Sequence, residues 1–395
     1  MFSHNLVDFG RRPNIIRDLS AFAGKRKQEI GAENVYDFTI GSPNVPVPEV
    51  IHDTMKELLQ TTDPVALHSY TDARGSQELR ETIANYVNRR FGDHLEPGGI
   101  YVTAGASSAL AIVLRGLTVP GNEVIVFTPH YMEYLVYIEA AGAKVVVAES
   151  LEDTFQIDME KFEAALTEQT RIVIVNSPNN PSGVVYTDEC LKAMTALLKR
   201  KEEEYGHPIF LLADEPYREL AYDVEVPYLM NYYDDTIVSY SYSKTRSLPG
   251  ERMGYLAVCK RCAMYDEVVN VISGSGRALG YICASNLYQR MLTRCIDVVS
   301  DVSYYKRNRD LLVSGLESVG FSCVRPDGAF YLFVKSPTQD SMEACEKAKE
   351  FDIIVVPGHD FGVPNYLRVS YCVQYETIER SMPAWKKLAE YYGLG

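Results

Sequence analysis

The 395-residue sequence lacks any run of about 18 consecutive apolar residues, the length that a helix needs to cross a bilayer. The opening stretch, MFSHNLVDFGRRPN, has neither an apolar core nor a small-residue cleavage site, so we do not expect a signal peptide. Positive charge is also scarce, since 39 Lys and Arg stand against 53 Asp and Glu and the net charge is −14. Nucleic acids and anionic membranes need a cationic face, so the composition argues against both as partners. Since neither a membrane span nor a signal peptide is expected, the predicted compartment is the cytoplasm.

Residues that bind metal ions are few and unsuitably spaced. The seven histidines form no HExxH-type pattern, and the one close cysteine pair, Cys259 and Cys262, lacks the second pair that a zinc site requires. The eight cysteines are scattered, mostly through apolar stretches, which is typical of reduced thiols in a protein core. We therefore predict reduced cysteines and no metal site.

Short runs rich in Val and Ile alternate with segments of helical periodicity through the middle of the chain. Most of these runs are apolar on both faces, as buried parallel strands are. The predicted strands are Ile100–Thr103, Glu123–Phe127, Lys144–Ala148, Arg171–Val175, Ile209–Ala213, Thr236–Tyr240 and Met253–Cys259. The predicted helices between them are Ser107–Leu117, Tyr131–Ala141, Asp158–Leu166 and Thr187–Glu204. This alternation predicts an α/β fold with a mostly parallel, doubly wound sheet.

The last third of the chain has a different pattern, which predicts a smaller α+β domain. Its predicted elements are long helices at Ser303–Val319 and Ile378–Tyr392 and short strands at Phe321–Arg325, Ala329–Val334, Ile353–Val356 and Tyr366–Ser370. A further helix at Asn14–Ile30 is expected to pack against this domain, so that both chain ends form it. The predicted divisions are 1–45 for the N-terminal arm and part of the small domain, 46–285 for the large domain and 286–395 for the rest of the small domain.

Unusual polar segments follow five of the predicted strands directly. They are Ala104–Ser108, Thr128–Tyr131, Asn176–Gly183, Asp214–Tyr217 and Ser241–Lys244. Ligands of open α/β sheets bind beyond the carboxyl ends of the strands, so we expect these segments to form one site.

Each of these segments has a plain structural interpretation beside a chemical one. The loop Ala104–Ser108 could be an ordinary turn, or its free N–H groups could bind a phosphate at the start of a helix. Lys244 could be solvated, or it could form a Schiff base if it is desolvated among other cations. Asp214 could cap a helix or pair with a buried cation, and Arg252 could bind a phosphate or a surface carboxylate. Together, a lysine, a buried aspartate, a phosphate loop and a tyrosine at one edge fit pyridoxal 5'-phosphate.

The same residues resemble the fold-type I, class I/II pyridoxal-phosphate aminotransferases, which are aspartate-aminotransferase-like. Ser241–Lys244 and Gly250–Tyr255 resemble the lysine signature of this family, S-x-S/A-K followed by R-x-G. The other matching motifs are Tyr70–Gly75 (Y-x-x-x-x-G), Asn179–Gly183 (NNPTG, with Ser182 in place of Thr), Asp214–Tyr217 (D-E-x-Y), Pro326–Tyr331 (P-x-G-A-F-Y) and Tyr366–Ser370 (Y-x-R-x-S). They occur in the expected order from about Ile40 to the end of the chain.

The resemblance implies a role for each residue around the cofactor ring. Lys244 would carry the cofactor as a Schiff base and act as the base once substrate has displaced it. Asp214 would keep the pyridine nitrogen protonated, which makes the ring an electron sink. Tyr217 and Asn180 would donate hydrogen bonds to the phenolate oxygen of the ring, and Tyr131 would stack on its face.

The resemblance also implies binding sites for the phosphate and the substrate. Arg368 would bind the substrate α-carboxylate in bidentate fashion, Gly41 would lie at the substrate entrance, and Tyr70 would reach the phosphate of the neighbouring subunit in a homodimer with shared active sites. The remaining phosphate ligands would be Gly105, Ala106, Ser107, Ser241 and Arg252. The implied activity is transfer of an amino group from an L-α-amino acid to a 2-oxo acid by a ping-pong mechanism.

Three other functions stay open at this point. A carbon–sulfur β-lyase can use the same scaffold, because fold and cofactor do not fix the reaction. A regulator that keeps the cofactor would need a basic DNA-binding extension, which this sequence does not show. The segment Val268–Gly280 imitates the glycine fingerprint of an NAD-dependent dehydrogenase, but its position and spacing are atypical. Arg277 in that segment is either a surface arginine or a ligand of a second substrate carboxylate.

Overall fold

The computed structural model describes residues 4–394. Within that range the α-helices are α1 (His4–Arg11), α2 (Ile15–Ile30), α3 (Glu49–Thr61), α4 (Pro64–His68), α5 (Gln77–Phe91), α6 (Ala106–Leu117), α7 (Glu133–Ala141), α8 (Met159–Ala165), α9 (Asp188–Tyr205), α10 (Tyr242–Thr245), α11 (Tyr265–Leu279), α12 (Asn286–Cys295), α13 (Val302–Ser318), α14 (Ser341–Lys349) and α15 (Tyr375–Tyr392). The strands are β1 (Tyr36–Asp37), β2 (Ile100–Thr103), β3 (Glu123–Phe127), β4 (Lys144–Ala148), β5 (Thr170–Asn176), β6 (Phe210–Asp214), β7 (Thr236–Ser241), β8 (Gly254–Val258), β9 (Cys323–Val324), β10 (Tyr331–Lys335), β11 (Ile353–Ile354), β12 (Val356–Pro357) and β13 (Tyr366–Ser370).

The large sheet has seven strands in the described residues, in the order β2-β8-β7-β6-β5-β3-β4. The neighbours from β7 to β4 are parallel, whereas β8 runs antiparallel to both β2 and β7. Residues of the five strands from β2 to β5 in this order are almost entirely buried, which explains their largely apolar sequences. The predicted α/β fold with a mostly parallel sheet is confirmed.

Apolar cores lie on both faces of this sheet. One core joins the helices α6, α7 and α11 to one face through residues such as Leu110, Ile138 and Ile272. The opposite core joins α3, α5, α9 and α12 to the other face, with Ile83 and Met291 among its fully buried members. Because helices cover both faces, the sheet is doubly wound as predicted. Polar side chains that bind a ligand can then be reached only at the ends of the strands.

A smaller α+β unit is formed by segments from both ends of the chain. A four-stranded sheet, β12-β13-β10-β9, packs with α13 and α15 around a core that contains the fully buried Trp385. The N-terminal β1 pairs in parallel with β11, with Tyr36 opposite Ile353. Residues of α2, including Leu19, pack against Phe333 of β10. This arrangement is consistent with the predicted smaller α+β domain, and the exact divisions after residues 45 and 285 stay predictions.

Some predicted elements differ in extent from those observed. The predicted strand Ile353–Val356 is two strands, β11 and β12, which pair in different sheets. The predicted strand Ala329–Val334 begins later, at Tyr331, because Ala329 adopts a left-handed conformation with φ of 56°. The segment Val268–Gly280 lies almost wholly in α11, so its glycines are not a strand-to-helix loop.

None of the eight cysteines forms a disulfide, and five of them are buried. Residues 4–394 hold no group of three or more His, Cys, Asp or Glu side chains placed to bind a metal ion. Over the same residues, no helix has both the length and the apolar character needed to cross a membrane.

Candidate active site

A cavity of about 280 Å³ opens at the carboxyl ends of β5, β6 and β7. Two of its walls come from outside the large sheet, namely the chain after β1 and the strands β10 and β13. Eleven of the thirteen site residues named from the sequence line this cavity: Gly41, Ala106, Ser107, Tyr131, Asn180, Asp214, Tyr217, Ser241, Lys244, Arg252 and Arg368. Segments that are far apart in sequence thus meet at the edge where a doubly wound sheet binds its ligands.

Lys244 lies in α10, a single helical turn that directly follows β7. The hydroxyl of Ser241 caps this turn by accepting a hydrogen bond from the N–H of Ser243 at 3.2 Å. The ammonium of Lys244 donates to the carbonyl of Gly41 at 2.5 Å. Burial, together with the smaller effects of the Arg368 and Arg252 charges, lowers the pKa of Lys244 to about 8 against an opposing contribution from Cys372. The lysine therefore has a substantial neutral, nucleophilic fraction near pH 7.

Asp214 ends β6 and is 4% exposed. Its Oδ2 accepts a hydrogen bond from the phenol of Tyr134 at 2.6 Å, and its Oδ1 accepts a longer one from Ser239 at 3.4 Å. Burial raises the pKa of Asp214 to about 6 in spite of these two donors. Among the described residues no cation forms an ion pair with this carboxylate, so the site is suited to a ligand that brings a positive charge.

The loop before α6 and the guanidinium of Arg252 together form an anion-binding corner. Gly105 precedes the first turn of α6 with φ of 84°, and the free N–H groups of that turn belong to Ala106 and Ser107. Arg252 donates to the carbonyls of Pro249 and Ala104 at 2.9 and 3.2 Å. A Cβ atom at Gly105 would lie 2.7 Å from the guanidinium of Arg252. The close approach of the arginine to a helix start thus requires glycine and provides a site for a phosphate.

Arg368 of β13 is a buried cation, 2% exposed, that also lines the cavity. Its guanidinium donates to the carbonyl of Thr39 at 2.6 Å and to the side-chain oxygen of Asn180 at 3.3 Å, and its Nε has no hydrogen-bond partner in the described residues. The guanidinium also lies over the rings of Tyr331 and Phe361, at 4.7 and 5.0 Å. A buried, incompletely bonded guanidinium matches the planar carboxylate of a substrate.

Hydrogen bonds connect the polar groups around the cavity. The hydroxyls of Tyr217 and Tyr331 are 3.0 Å apart. The amide of Asn176 donates to the main-chain carbonyl of Asp214 at 2.8 Å, and its oxygen accepts from the N–H of Asn180 at 2.7 Å. Asn176 therefore fixes the spacing between Asp214 and Asn180.

Sequence reasoning missed several residues that the structure brings to the cavity. Tyr134 follows Tyr131 by three positions, so helical periodicity could have placed both on one face of the helix predicted at Tyr131–Ala141. Ile16 of α2 and Ile40 add apolar surface that no sequence motif signals. Asn176 lies at the end of β5, in the segment already singled out by its position after a strand.

Two of the named site residues do not line the cavity. Gly105 lies just behind it, beside Arg252. The side chain of Tyr70 is 93% exposed and does not reach the cavity of its own chain. Arg277 is likewise exposed on α11 and outside the cavity.

Comparison with known proteins decides the family. The sequence model of the family described as "Aminotransferase class I and II" matches residues 32–383. The chain belongs to this family. An aspartate aminotransferase of Thermotoga maritima is 31% identical over 357 residues, which cover 89% of this chain and 90% of the relative.

Solved structures agree with this aminotransferase assignment. An amino transferase from Eubacterium rectale is 45% identical, with a TM-score of 0.98 and coverage of 99% of both chains. An aspartate aminotransferase of Thermus thermophilus with maleate is 28% identical, with a TM-score of 0.85 and coverage of 98% of this chain and 99% of that one. The protein is thus a transaminase, and neither the β-lyase, the dehydrogenase nor the regulator is favoured.

Aminotransferases of class I and II depend on pyridoxal phosphate, and the cavity fits this cofactor on two observations. The buried carboxylate of Asp214 has no cationic partner among the described residues, as a site for a protonated pyridine requires. The corner between Gly105 and Arg252 excludes even a methyl group and offers donors for a phosphate. Lys244 lines the same cavity as Asp214 and Arg252. One site could therefore hold the aldehyde carbon, the ring nitrogen and the phosphate of the cofactor.

Proposed function

We propose that this aminotransferase transfers an amino group from an L-α-amino acid to a 2-oxo acid through a Schiff base at Lys244. One observation carries the proposal: a desolvated lysine, an unpaired buried carboxylate and an incompletely bonded buried arginine, Lys244, Asp214 and Arg368, line one cavity. Bound pyridoxal phosphate supplies an electron sink that stabilises negative charge at the substrate Cα. The protein residues bind, orient and move protons around that centre.

Lys244 is the residue that moves the proton. Its pKa of about 8 allows the free amine to accept the Cα proton and the ammonium to return one at neutral pH. Asp214 would keep the ring nitrogen of the bound cofactor protonated, because an ion pair in this buried setting favours the charged form of both partners. Tyr217 and Asn180 would donate toward the phenolic oxygen of the ring, and Tyr131 would stack against its face.

Two anion-binding groups of the cavity would orient the reactants. The first turn of α6, with Gly105, Ala106 and Ser107, would hold the cofactor phosphate together with Ser241 and Arg252. Arg368 would bind the α-carboxylate beside Gly41 and so fix the direction of the Cα–H bond, and positioning of this kind can contribute several kcal/mol to catalysis.

We also propose a homodimer in which Tyr70 completes the neighbouring site. Tyr70 belongs to a patch of exposed apolar residues with Val65, which is 78% exposed, and with Tyr281 and Ile282, both more than 40% exposed. The two segments of this patch lie together, since the side chain of Asn286 donates to the carbonyl of Ser69. A patch of this kind is typical of a subunit interface.

The proposed compartment is the cytoplasm.

Mixing two inactive variants tests the shared site. Tyr70→Ala and Lys244→Ala homodimers are each expected to be inactive or nearly so. A heterodimer combines both changes in one site and leaves the other intact, so random reassociation should restore about one quarter of the wild-type sites. Failure to recover any activity after verified subunit exchange would contradict the sharing.

A substrate panel tests the reaction itself. Three cations of the described residues line the cavity, Lys244, Arg252 and Arg368, and each already has a proposed role. None of the three is thus left to bind a second substrate carboxylate, so the class of amino donor has to be measured. The panel should therefore compare aspartate, the substrate named for relatives, with aromatic and aliphatic amino acids against 2-oxoglutarate and pyruvate. Amino transfer to the acceptor supports the proposal, whereas release of ammonia and pyruvate without any acceptor would indicate a lyase.

A further inference from the structure

We propose that Tyr134 is a positioning residue that keeps Asp214 ionised and fixes its orientation for the cofactor ring nitrogen. This inference rests on the proposed function, in which Asp214 pairs with that nitrogen. It assigns a role to a tyrosine that no sequence motif identifies.

The geometry isolates Tyr134 as the principal partner of the Asp214 side chain. Tyr134 is the second residue of α7, 3% exposed, and its hydroxyl donates to Oδ2 at 2.6 Å. The other donor among the described residues is Ser239, at 3.4 Å from Oδ1, which is a weak hydrogen bond. Oδ2 is thus held by the phenol, whereas Oδ1 has only this weak donor and keeps more of its hydrogen-bonding capacity for a ligand.

The setting makes this hydrogen bond strong. Both groups are buried, and a hydrogen bond to a charged acceptor in such surroundings is stronger than one in water. Burial and the neighbouring carboxylate raise the pKa of Tyr134 far above its usual range, so the phenol remains a neutral donor at every pH of interest. Loss of the hydroxyl would leave Asp214 buried with one weak donor and would favour its protonated form.

Packing holds the phenol in place independently of the hydrogen bond. The Tyr134 ring belongs to the apolar core that contains Leu110 and Ile138. It meets the ring of Tyr131 edge to face, with centroids 5.5 Å apart at 89°. Tyr134→Phe keeps this ring and removes one oxygen, so it separates the polar contribution from the packing.

The test compares two cofactors in binding, without reference to turnover. Equilibrium dissociation constants are measured for pyridoxal phosphate and for its 1-deaza analogue, in which a C–H group replaces the ring nitrogen. In Tyr134→Phe we expect pyridoxal phosphate to bind about ten-fold more weakly or worse, and the analogue to bind as in the wild type, because only the nitrogen pairs with Asp214. Equal changes for both compounds, or no change for either, would overturn the proposal.

Control variants separate this proposal from the proposed function. Tyr233→Phe removes another buried hydroxyl, which donates to the carbonyl of Ile209 at 2.9 Å, and should not alter the ratio of the two constants. Asp214→Asn should abolish the preference for the nitrogen-containing cofactor. If Asp214→Asn keeps that preference, the pairing of Asp214 with the ring is wrong. If Asp214→Asn loses the preference but Tyr134→Phe keeps it unchanged, only the role of Tyr134 is contradicted.

A second pair of variants covers a failure of Tyr134→Phe to fold. Tyr134→His retains a ring donor and Tyr134→Leu does not. We expect the preference for the nitrogen-containing cofactor to be larger in the histidine variant. An equal ratio of the two constants in both variants would overturn the proposal.

Discussion

The lowered pKa of Lys244 has a direct consequence for the cofactor-free protein. Burial, with Arg368 and Arg252 nearby, lowers this pKa from 10.5 to about 8. At pH 7 about one Lys244 side chain in ten is then the free amine, compared with about one in 3,200 for a lysine with a pKa of 10.5. At pH 7 Lys244 should therefore react with electrophiles about 300-fold faster than an amine of the same intrinsic nucleophilicity with a pKa of 10.5.

Competitive labelling across a pH series measures this value. The cofactor-free protein is exposed to a trace of an amine-acylating reagent between pH 6 and 11, and peptides containing Lys244 are quantified by mass spectrometry. Lys25, whose side chain is 79% exposed, is labelled in the same sample and serves as the internal control. We expect the labelling of Lys244 to rise with a midpoint near pH 8.

Charge variants test the cause of the shift. Arg368→Gln removes one like charge from the surroundings of Lys244 and should move the labelling midpoint to higher pH. A wild-type midpoint near 10.5 would refute the reasoning, because it would mean that the lysine is effectively solvated. A midpoint near 8 that is unchanged in Arg368→Gln would leave burial as the cause and refute the contribution of the arginine.

Three further predictions follow from the same site. Burial raises the pKa of Asp214 to about 6, so the ionisation of Asp214 opposes folding increasingly between about pH 4 and 6. Asp214→Asn should therefore raise the free energy of unfolding of the cofactor-free protein above pH 6 by up to about 3 kcal/mol, as measured in urea. Equal stability of both proteins at pH 8 would contradict this. Arg368→Gln should weaken binding of α-amino acids by about 100-fold while leaving amines without a carboxylate unaffected, as measured by spectroscopic titration. Gly105→Ala should weaken cofactor binding in the same type of titration, since its Cβ would meet Arg252 at 2.7 Å and its φ is 84°, whereas Gly250→Ala, whose Cβ has open space, should not.

The sequence was sufficient to predict which segments form the edge of the sheet. Asp214 ends β6 and Lys244 lies just after β7, and the parallel arrangement of these two buried strands brings both residues to one edge. The direction of β8 could not be predicted from the sequence, because a strand buried on both faces has the same hydrophobic pattern whether it runs parallel or antiparallel. Only its pairing with β2 and β7 in three dimensions shows the reversal.

Contacts between distant segments could not be predicted from spacing. Tyr134 and Asp214 are 80 residues apart, and Arg368 and Asn180 are 188 residues apart, so no local period relates them. The glycines near Gly276, whose spacing only imitates a dinucleotide fingerprint, also owe their role to a contact between distant segments. A Cβ at Gly276 would lie 2.2 Å from the hydroxyl of Tyr101, which shows that this glycine lets α11 pack closely instead of binding a dinucleotide.

Reductive trapping tests the central assignment most directly. The protein loaded with pyridoxal phosphate is reduced with borohydride, digested and examined by peptide mass spectrometry for the site of the covalent cofactor adduct. The assignment of Lys244 predicts one modified lysine, at position 244, and no adduct in Lys244→Ala. An adduct on any other lysine of the wild-type protein, with Lys244 unmodified, would contradict it.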